Sequence, residues 1–152
     1  MQKYILTIDQ GTTNTKATLY NNKFIPIHSE QIEIKQFFPH EGWVEHDPEE
    51  IWKSVLYTIK NVIKKNKIKP SDVSSIGITN QRETSLIWNR DNGEPIYNAI
   101  VWQDRRTAKY CEKIKTKKLE RLVQKITGLT IDSYFSATKI KWILDNVKNS
   151  KF

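Results

Sequence analysis

Three short constellations in this chain carry residue types that chemistry requires. Asp9-Gln10-Gly11-Thr12-Thr13-Asn14 joins a carboxylate at the end of an apolar run to a glycine and several compact hydroxyl and amide side chains. Such a turn suits a metal–phosphate site. Gly11 lets backbone N–H groups come close to phosphate oxygens, and Thr12, Thr13 and Asn14 supply short donors. Asp9 is a hard oxygen ligand for Mg²⁺, held through water because Mg²⁺ dehydrates reluctantly. Lys16 adds a point charge for phosphate. The pattern is neither a P-loop nor a Gly-x-Gly-x-x-Gly dinucleotide fingerprint. The same six residues also suit an ordinary β-hairpin connection, and at this point both readings stand.

The second constellation is Asn80-Gln81-Arg82-Glu83-Thr84, directly after a strand-like run. Sheet ends of this kind commonly present ligand-binding groups. Arg82 and Glu83 place a fork of donors beside an acceptor, which fits a small polyhydroxylated ligand; a surface ion pair is the plainer alternative. Trp102-Gln103-Asp104-Arg105-Arg106 also follows a strand-like run. Trp102 suits either an apolar wall for the C–H face of a polyol or a place in the core. His40-Glu41-Gly42-Trp43-Val44-Glu45-His46 is not a zinc-protease helix, because its histidines stand six apart and Gly42 and Pro48 favour a loop. Cys111 lies between Ala108 and Ile114 at helical spacing and reads as a small buried residue. No Ser/His/Asp arrangement suggests a hydrolase.

The elements that must position these residues can be read in order. Tyr4–Asp9 and Thr15–Tyr20 are expected strands rich in β-branched residues, with a third run from Phe24 to about Ile34. A helix is expected from Asp47 as N-cap, with Pro48 at its first position and Glu49 and Glu50 in its first turn. Ile51, Val55, Ile59, Val62 and Ile63 keep one apolar face until Lys69-Pro70 closes it. Strands return at Ser75–Thr79, Thr84–Trp88 and Ile96–Trp102, with Asp91-Asn92-Gly93 as a hairpin-type turn. Arg105–Ile114 and Leu119–Ile126 are expected helices, the second closed by Gly128, and Ser136 is expected to cap a last one. Strands followed by mixed strands and helices point to an α/β sheet covered by helices.

Composition bounds the function classes. The 152 residues suit one ordinary domain or the larger part of two lobes. A compact chain of this size buries roughly 68–70% of its unfolded surface. Sixteen aromatic residues argue against a disordered polypeptide, and a mean hydropathy of −0.63 with apolar runs of only four or five residues argues against a membrane span. One cysteine and no signal-peptide pattern make a reduced, cytoplasmic location the expectation. The net charge of +8 comes mostly from Lys, 20 of 25 basic residues, in a chain equally rich in Ile. Arg is the better reader of bases and phosphates, so a nucleic-acid face is not expected. Lys60, Lys64, Lys65, Lys67 and Lys69 read as the solvated end of a helix.

Taken together, the segments resemble the beginning of the glycerol kinases within the FGGY carbohydrate-kinase family. The resemblance runs through Asp9–Asn14 (DQGTTN), Gly42–Pro48 (GWVEHDP), Ile76–Thr84 (IGITNQRET), Pro95–Thr107 (PIYNAIVWQDRRT), Thr127–Leu129 (TGL) and Tyr134–Leu144 (YFSATKIKWIL). It implies an actin/hexokinase-like, ribonuclease H-like α/β sheet with flanking helices, and makes residues 1–152 the N-terminal kinase domain in partial form. It also implies ATP, Mg²⁺ and glycerol as cofactor, metal and substrate. By the same resemblance Gly11, Thr12, Thr13, Asn14 and Lys16 contact the nucleotide, with Asp9 near the metal. Arg82, Glu83 and Tyr134 hydrogen-bond glycerol, and Trp102 walls the pocket. Lys16 stands where the family usually has Arg, and Asn14 where Ser is common.

In the family this stretch is about the first third of the polypeptide. The aspartate general base, the second phosphate loop, the adenosine pocket and the C-terminal lobe lie later. The resemblance therefore implies no catalytic base within this chain and no turnover by it alone, since a missing base typically costs about 10²–10⁴ in rate. A separately encoded C-terminal portion and a homo-oligomer are the expected partner types; nucleic acid and a membrane span are not. A noncatalytic glycerol-binding or partner-binding module is the alternative. A truncated lobe of this kind is also expected to expose apolar surface where further elements would pack.

Overall fold

The computed structural model describes residues 3–148 and 150. The chain divides into two compact units: one holds the stretch up to Gln36 and Asp47–Gln81, the other Phe37–His46 and the stretch from Arg82 onward.

The first unit is a four-stranded sheet with one long helix. Strands β1 (Tyr4–Gln10), β2 (Asn14–Tyr20) and β3 (Pro26–Glu33) form an antiparallel meander. Two further elements precede the fourth strand of this sheet: a two-residue strand β4 (Glu45–His46), which belongs to the other unit, and the helix α1 (Pro48–Lys65). Strand β5 (Val73–Thr79) then pairs parallel to β1, giving the order β3-β2-β1-β5. Period-two alternation decides the sheet's faces. Leu6 and Ile8 of β1 and Ala17 and Leu19 of β2 are buried, while Asp9 and Lys16 are exposed. Leu6, Ala17, Leu19 and Val62 form the core, with Tyr4, Ile59, Ile63, Ile68 and Val73 packed around them.

Helix α1 starts where expected: the Asp47 side chain accepts a hydrogen bond from the Glu49 N–H at 2.8 Å, and Pro48 is its first residue. It ends at Lys65, before the expected stop at Lys69-Pro70, with Asn66 at its C-cap and Lys67 at φ 52°. Pro70 instead opens a 3₁₀ turn over Pro70–Asp72. The deepest line of the helix is Ser54, Thr58 and Val62, so the buried stripe is more polar than the Ile/Val pattern suggests. Two small hydroxyls at i and i+4 fit there because each finds a partner. Ser54 Oγ and Thr15 Oγ1 lie 2.7 Å apart, and Thr58 Oγ1 donates to the Ser54 carbonyl. Strands β3 and β5 are the two edges of the sheet, and Ile76 and Ile78 of β5 are well exposed.

The second unit is mostly loops and short helices. Strand β4 pairs antiparallel with β6 (Ala99–Ile100). Thr84–Trp88, expected as a strand, joins others only by the isolated bridges Ser85–Ile100 and Trp88–Pro95. The regular ladder fails because Glu83 turns the chain at φ 64° and Pro95 has no N–H to donate. The turn itself is as expected, with the Gly93 N–H bonded to the Asn89 carbonyl at 2.8 Å. Helices α2 (Ala108–Ile114), α3 (Lys117–Thr127) and α4 (Ser136–Asn146) follow. Helix α2 begins three residues later than expected, because the Asp104 carboxylate takes the Arg106 N–H at 2.8 Å in a side-chain turn. Gly128 ends α3 at φ 76°. Ser136 is the first residue of α4, not its N-cap, a place that Phe135 occupies. Cys111 is buried. Among the described residues no helix is long and apolar enough to cross a membrane.

Candidate functional site

The first candidate cluster sits on the β1–β2 turn. The Gly11 N–H donates to the Asn14 carbonyl at 2.9 Å, and a Cβ on Gly11 would stand 3.2 Å from that oxygen. Glycine is therefore what lets the turn close so tightly. The loop is held from several sides. Gln10 Nε2 donates to the Gly11 carbonyl, while Gln10 Oε1 accepts from Gln81 Nε2 at 3.1 Å. Gln36 Nε2 donates to the Thr12 carbonyl, and the Ile34 N–H to that of Thr13. Side chains at Thr12, Thr13 and Asn14 are thus carried on a backbone fixed by its own carbonyls. Asn14 Nδ2 reaches Thr13 Oγ1 at 3.2 Å. Asp9 and Lys16 are register partners across β1 and β2 and both are exposed. The turn, Asp9 and Lys16 form one group of donors, one carboxylate and one cation at the end of the sheet. Asp9 takes part in no ion pair among the described residues. A single exposed carboxylate fits a Mg²⁺ ion that keeps most of its waters, and does not fit an all-protein cage.

The second cluster lies in the other unit and gathers three of the four expected polyol residues. The Trp102 and Tyr134 rings meet edge to face with centroids 5.7 Å apart, and Tyr134 meets Phe135 at 5.1 Å. Glu83 has a left-handed backbone, a conformation that costs a non-glycine residue roughly 1–3 kcal/mol and clusters at functional sites. Its carboxylate accepts from Ser136 Oγ at 2.9 Å and the Ser136 N–H at 3.3 Å. Ser136 therefore places its hydroxyl on Glu83 and ties it two residues from Tyr134, which explains why it does not cap its own helix. Arg82, next to Glu83, is exposed and has no ion-pair partner among the described residues.

Beneath this cluster lie two groups that the sequence reading did not single out. Lys139, with no exposed surface, donates from Nζ to the Ser133 carbonyl at 3.1 Å and to the Tyr134 carbonyl. Burial lowers its ammonium to about 8, against the opposing pull of Glu83, Asp104 and Asp132. The Arg106 side chain likewise has no exposed surface. Its guanidinium lies 3.8 Å from the Trp43 ring centroid and 4.5 Å from that of Trp142. It pairs with Glu45 at 2.7 Å and Asp104 at 2.8 Å. Tyr97 and Asn98 also donate to Glu45, and the Val44 N–H donates to Asp104. A helix-spaced Lys and a Trp-x-x-x-Arg signal were present, but composition does not distinguish a buried cation from a surface one.

Burial pushes against ionisation of Glu45, yet hydrogen bonds from Asn98, Tyr97 and Arg106 outweigh it and hold the carboxyl below the usual range. A carboxylate depressed in the folded state stabilises fully above its ordinary value of 4.5 and loses that contribution as pH falls through the lower folded value. Thermal unfolding followed by near-ultraviolet circular dichroism should therefore hold steady from pH 7 to about 5 and decline below that. Glu45→Gln should shallow the decline; an undiminished decline in that variant would assign it to other groups.

Comparison with known proteins places this geometry. Residues 4–151 match the model of the FGGY family of carbohydrate kinases, N-terminal domain. A glycerol kinase of Sinorhizobium fredii is 55% identical over 99% of this chain and 30% of its own length. One from Bacillus cereus is 52% identical over the same shares. The crystal structure of Plasmodium falciparum glycerol kinase with ADP superposes with a TM-score of 0.87 at 39% identity, covering 95% of this chain and 29% of that one. The chain spans about 30% of the length of the curated relatives it matches. The expected actin/hexokinase-like α/β sheet with flanking helices is the fold observed. By sequence and fold alike, the chain belongs to the FGGY family of carbohydrate kinases.

Proposed function

We propose that this chain supplies the polyol-contacting residues and the first phosphate loop of a glycerol kinase, which transfers a phosphoryl group from ATP to glycerol to give sn-glycerol 3-phosphate. The observation that carries the reading is 52–55% identity over 99% of the chain to proteins named glycerol kinase. The Trp102–Tyr134 pair beside the Glu83–Ser136 contact supports it, since a polyol needs an apolar wall for its carbons and fixed acceptors for its hydroxyls. In this reading Arg82 and Glu83 bind and orient glycerol, with Trp102 and Tyr134 shaping the pocket. Gly11, Thr12, Thr13, Asn14 and Lys16 hold the phosphates of ATP. Asp9 would hold Mg²⁺ through water, and the ion would neutralise phosphate charge during transfer. Lys16 offers phosphate a point charge without the fork of an Arg. The general base, the rest of the nucleotide site and the C-terminal lobe come from sequence outside these 152 residues. The open β5 edge is where that chain would continue the sheet.

The test is complementation. The chain is mixed with a polypeptide supplying the remaining length of a relative, and ATP-dependent glycerol 3-phosphate is measured. Activity should require both pieces. Arg82→Ala should lower kcat/KM for glycerol at least about tenfold, the value of a hydrogen bond from a charged group. Full activity in Arg82→Ala would remove the site assignment, and activity of neither piece nor mixture would count against the reading as a whole.

A further inference from the structure

We propose that Lys139 is a positioning residue of the polyol pocket, anchoring the Ser133–Tyr134 backbone so that the Tyr134 ring stands edge-on to Trp102. The inference rests on the reading of Arg82, Glu83, Trp102 and Tyr134 as that pocket. Lysine is among the residues least often found fully inside a protein, because its ammonium gives up its water there. Lys139 nonetheless has no exposed surface, and both of its hydrogen bonds go to consecutive main-chain carbonyls, those of Ser133 and Tyr134. An apolar side chain of similar length would fill the same space without that desolvation. What it would not supply is a charged donor to the two peptide groups that flank the Tyr134 Cα.

Those peptide groups lie in an irregular segment with few other ties. The Tyr134 N–H bonds to Asp132 Oδ1 at 2.8 Å, and the Ser136 N–H and hydroxyl are committed to Glu83. One buried cation thus fixes the carbonyl side of Tyr134, while the residue that holds Glu83 sits two positions on. Ring and carboxylate are set by one short stretch, residues 133–136, and Lys139 is its anchor from α4. The charged and titratable groups around the ammonium are Glu83 after β5, Asp104 before α2, Asp132 before α4 and the Cys111 thiol on α2. Three of these are carboxylates, so the anchor keeps its charge at neutral pH despite its burial. Once the ammonium loses its proton, its bonds to the carbonyls lose their charge assistance.

The experiment uses the 152-residue chain as wild type, Lys139→Met and Arg82→Ala, with glycerol as the probe. Amide hydrogen exchange over residues 134–136 reads the anchor, and calorimetric glycerol affinity between pH 7 and 10 reads the pocket. Lys139→Met is expected to speed exchange at 134–136 at least tenfold, with β1 and β2 unchanged, and to weaken glycerol binding about tenfold. Wild-type affinity should fall as pH rises through about 8, and this fall should vanish in Lys139→Met. Unaltered exchange at 134–136 with unaltered affinity overturns the proposal. So does faster exchange spread evenly along α2 and α4, which marks a general packing role. Arg82→Ala separates the two readings. Lost glycerol binding there, beside an inert Lys139→Met, leaves the pocket standing and removes the anchor. Retained binding there, beside fast exchange at 134–136 in Lys139→Met, keeps the backbone anchor and removes the pocket, and with it Lys139's role in positioning a polyol residue.

Discussion

Arg106→Met is expected to destabilise the second unit by about 3–5 kcal/mol, the usual cost of removing one partner from a buried ion pair. The side chains of Arg106 and Asp104 have no exposed surface, and that of Glu45 has 3%. Methionine is of comparable length and can pack against Trp43 and Trp142, so the loss is mainly electrostatic. It strands two carboxylates that keep only neutral donors: the backbone N–H groups of Val44 and of residue 106 at Asp104, and Tyr97 and Asn98 at Glu45. Three cation–π contacts, to Trp43, Trp142 and the more distant Tyr97, are lost as well, each worth on the order of 1–2 kcal/mol when desolvated. Urea unfolding followed by the near-ultraviolet signal of the tryptophans measures the change. The deficit should shrink as pH drops and Glu45, no longer held ionised by Arg106, takes up a proton. A cost below about 1 kcal/mol would show that the guanidinium contributes little beyond its own desolvation.

Leu19→Ala is expected to cost the first unit about 2–5 kcal/mol, through lost burial and the cavity left behind. Leu19 is fully buried on β2 and shares its cluster with Leu6, Ala17 and Val62. Its neighbours sit on three different elements, so the gap cannot close by moving one of them. The functional consequence follows from the strand, since β2 carries Asn14 at its start and Lys16 two residues on. Loosening β2 loosens the loop that presents Thr12 and Thr13. Chemical denaturation of the chain reads the energy. Exchange of the Gly11 and Ile34 amides, both bonded to this turn, shows whether the loop follows.

The sequence was most legible where local chemistry and the fold agree. Asp47 and Pro48 begin α1 as their types require, Gly128 ends α3, and β1 to β3 fall on the three runs expected as strands. Legibility failed where distant residues overrule local preference. Ser136 has the composition of an N-cap, but a carboxylate 53 residues away takes its hydroxyl. Thr84–Trp88 has strand composition and makes only bridges, because Glu83 and Pro95 interrupt the pairing at its ends. The candidate site divides in the same way. The tight turn at Gly11 was readable from residue types alone. The Trp102–Tyr134 contact joins segments 32 residues apart and became visible only with the fold, as did the two buried cations.

The segment Phe37–His46 belongs to the second unit although both of its flanks belong to the first. During synthesis from the N-terminus, the first sheet has all four strands once Thr79 has emerged. At that moment Glu45 has emerged too, while Tyr97, Asn98 and Arg106, its three side-chain hydrogen-bond partners, have not. A nascent chain that has emerged only as far as Thr79 therefore holds all four strands and a loop still without its counter-charge. Until the rest of the second unit emerges, Trp43 and Val44 in that loop lack the contacts with Arg106 and Asp104 that cover them in the folded chain. Such transiently open apolar surface is where nascent chains are prone to associate wrongly.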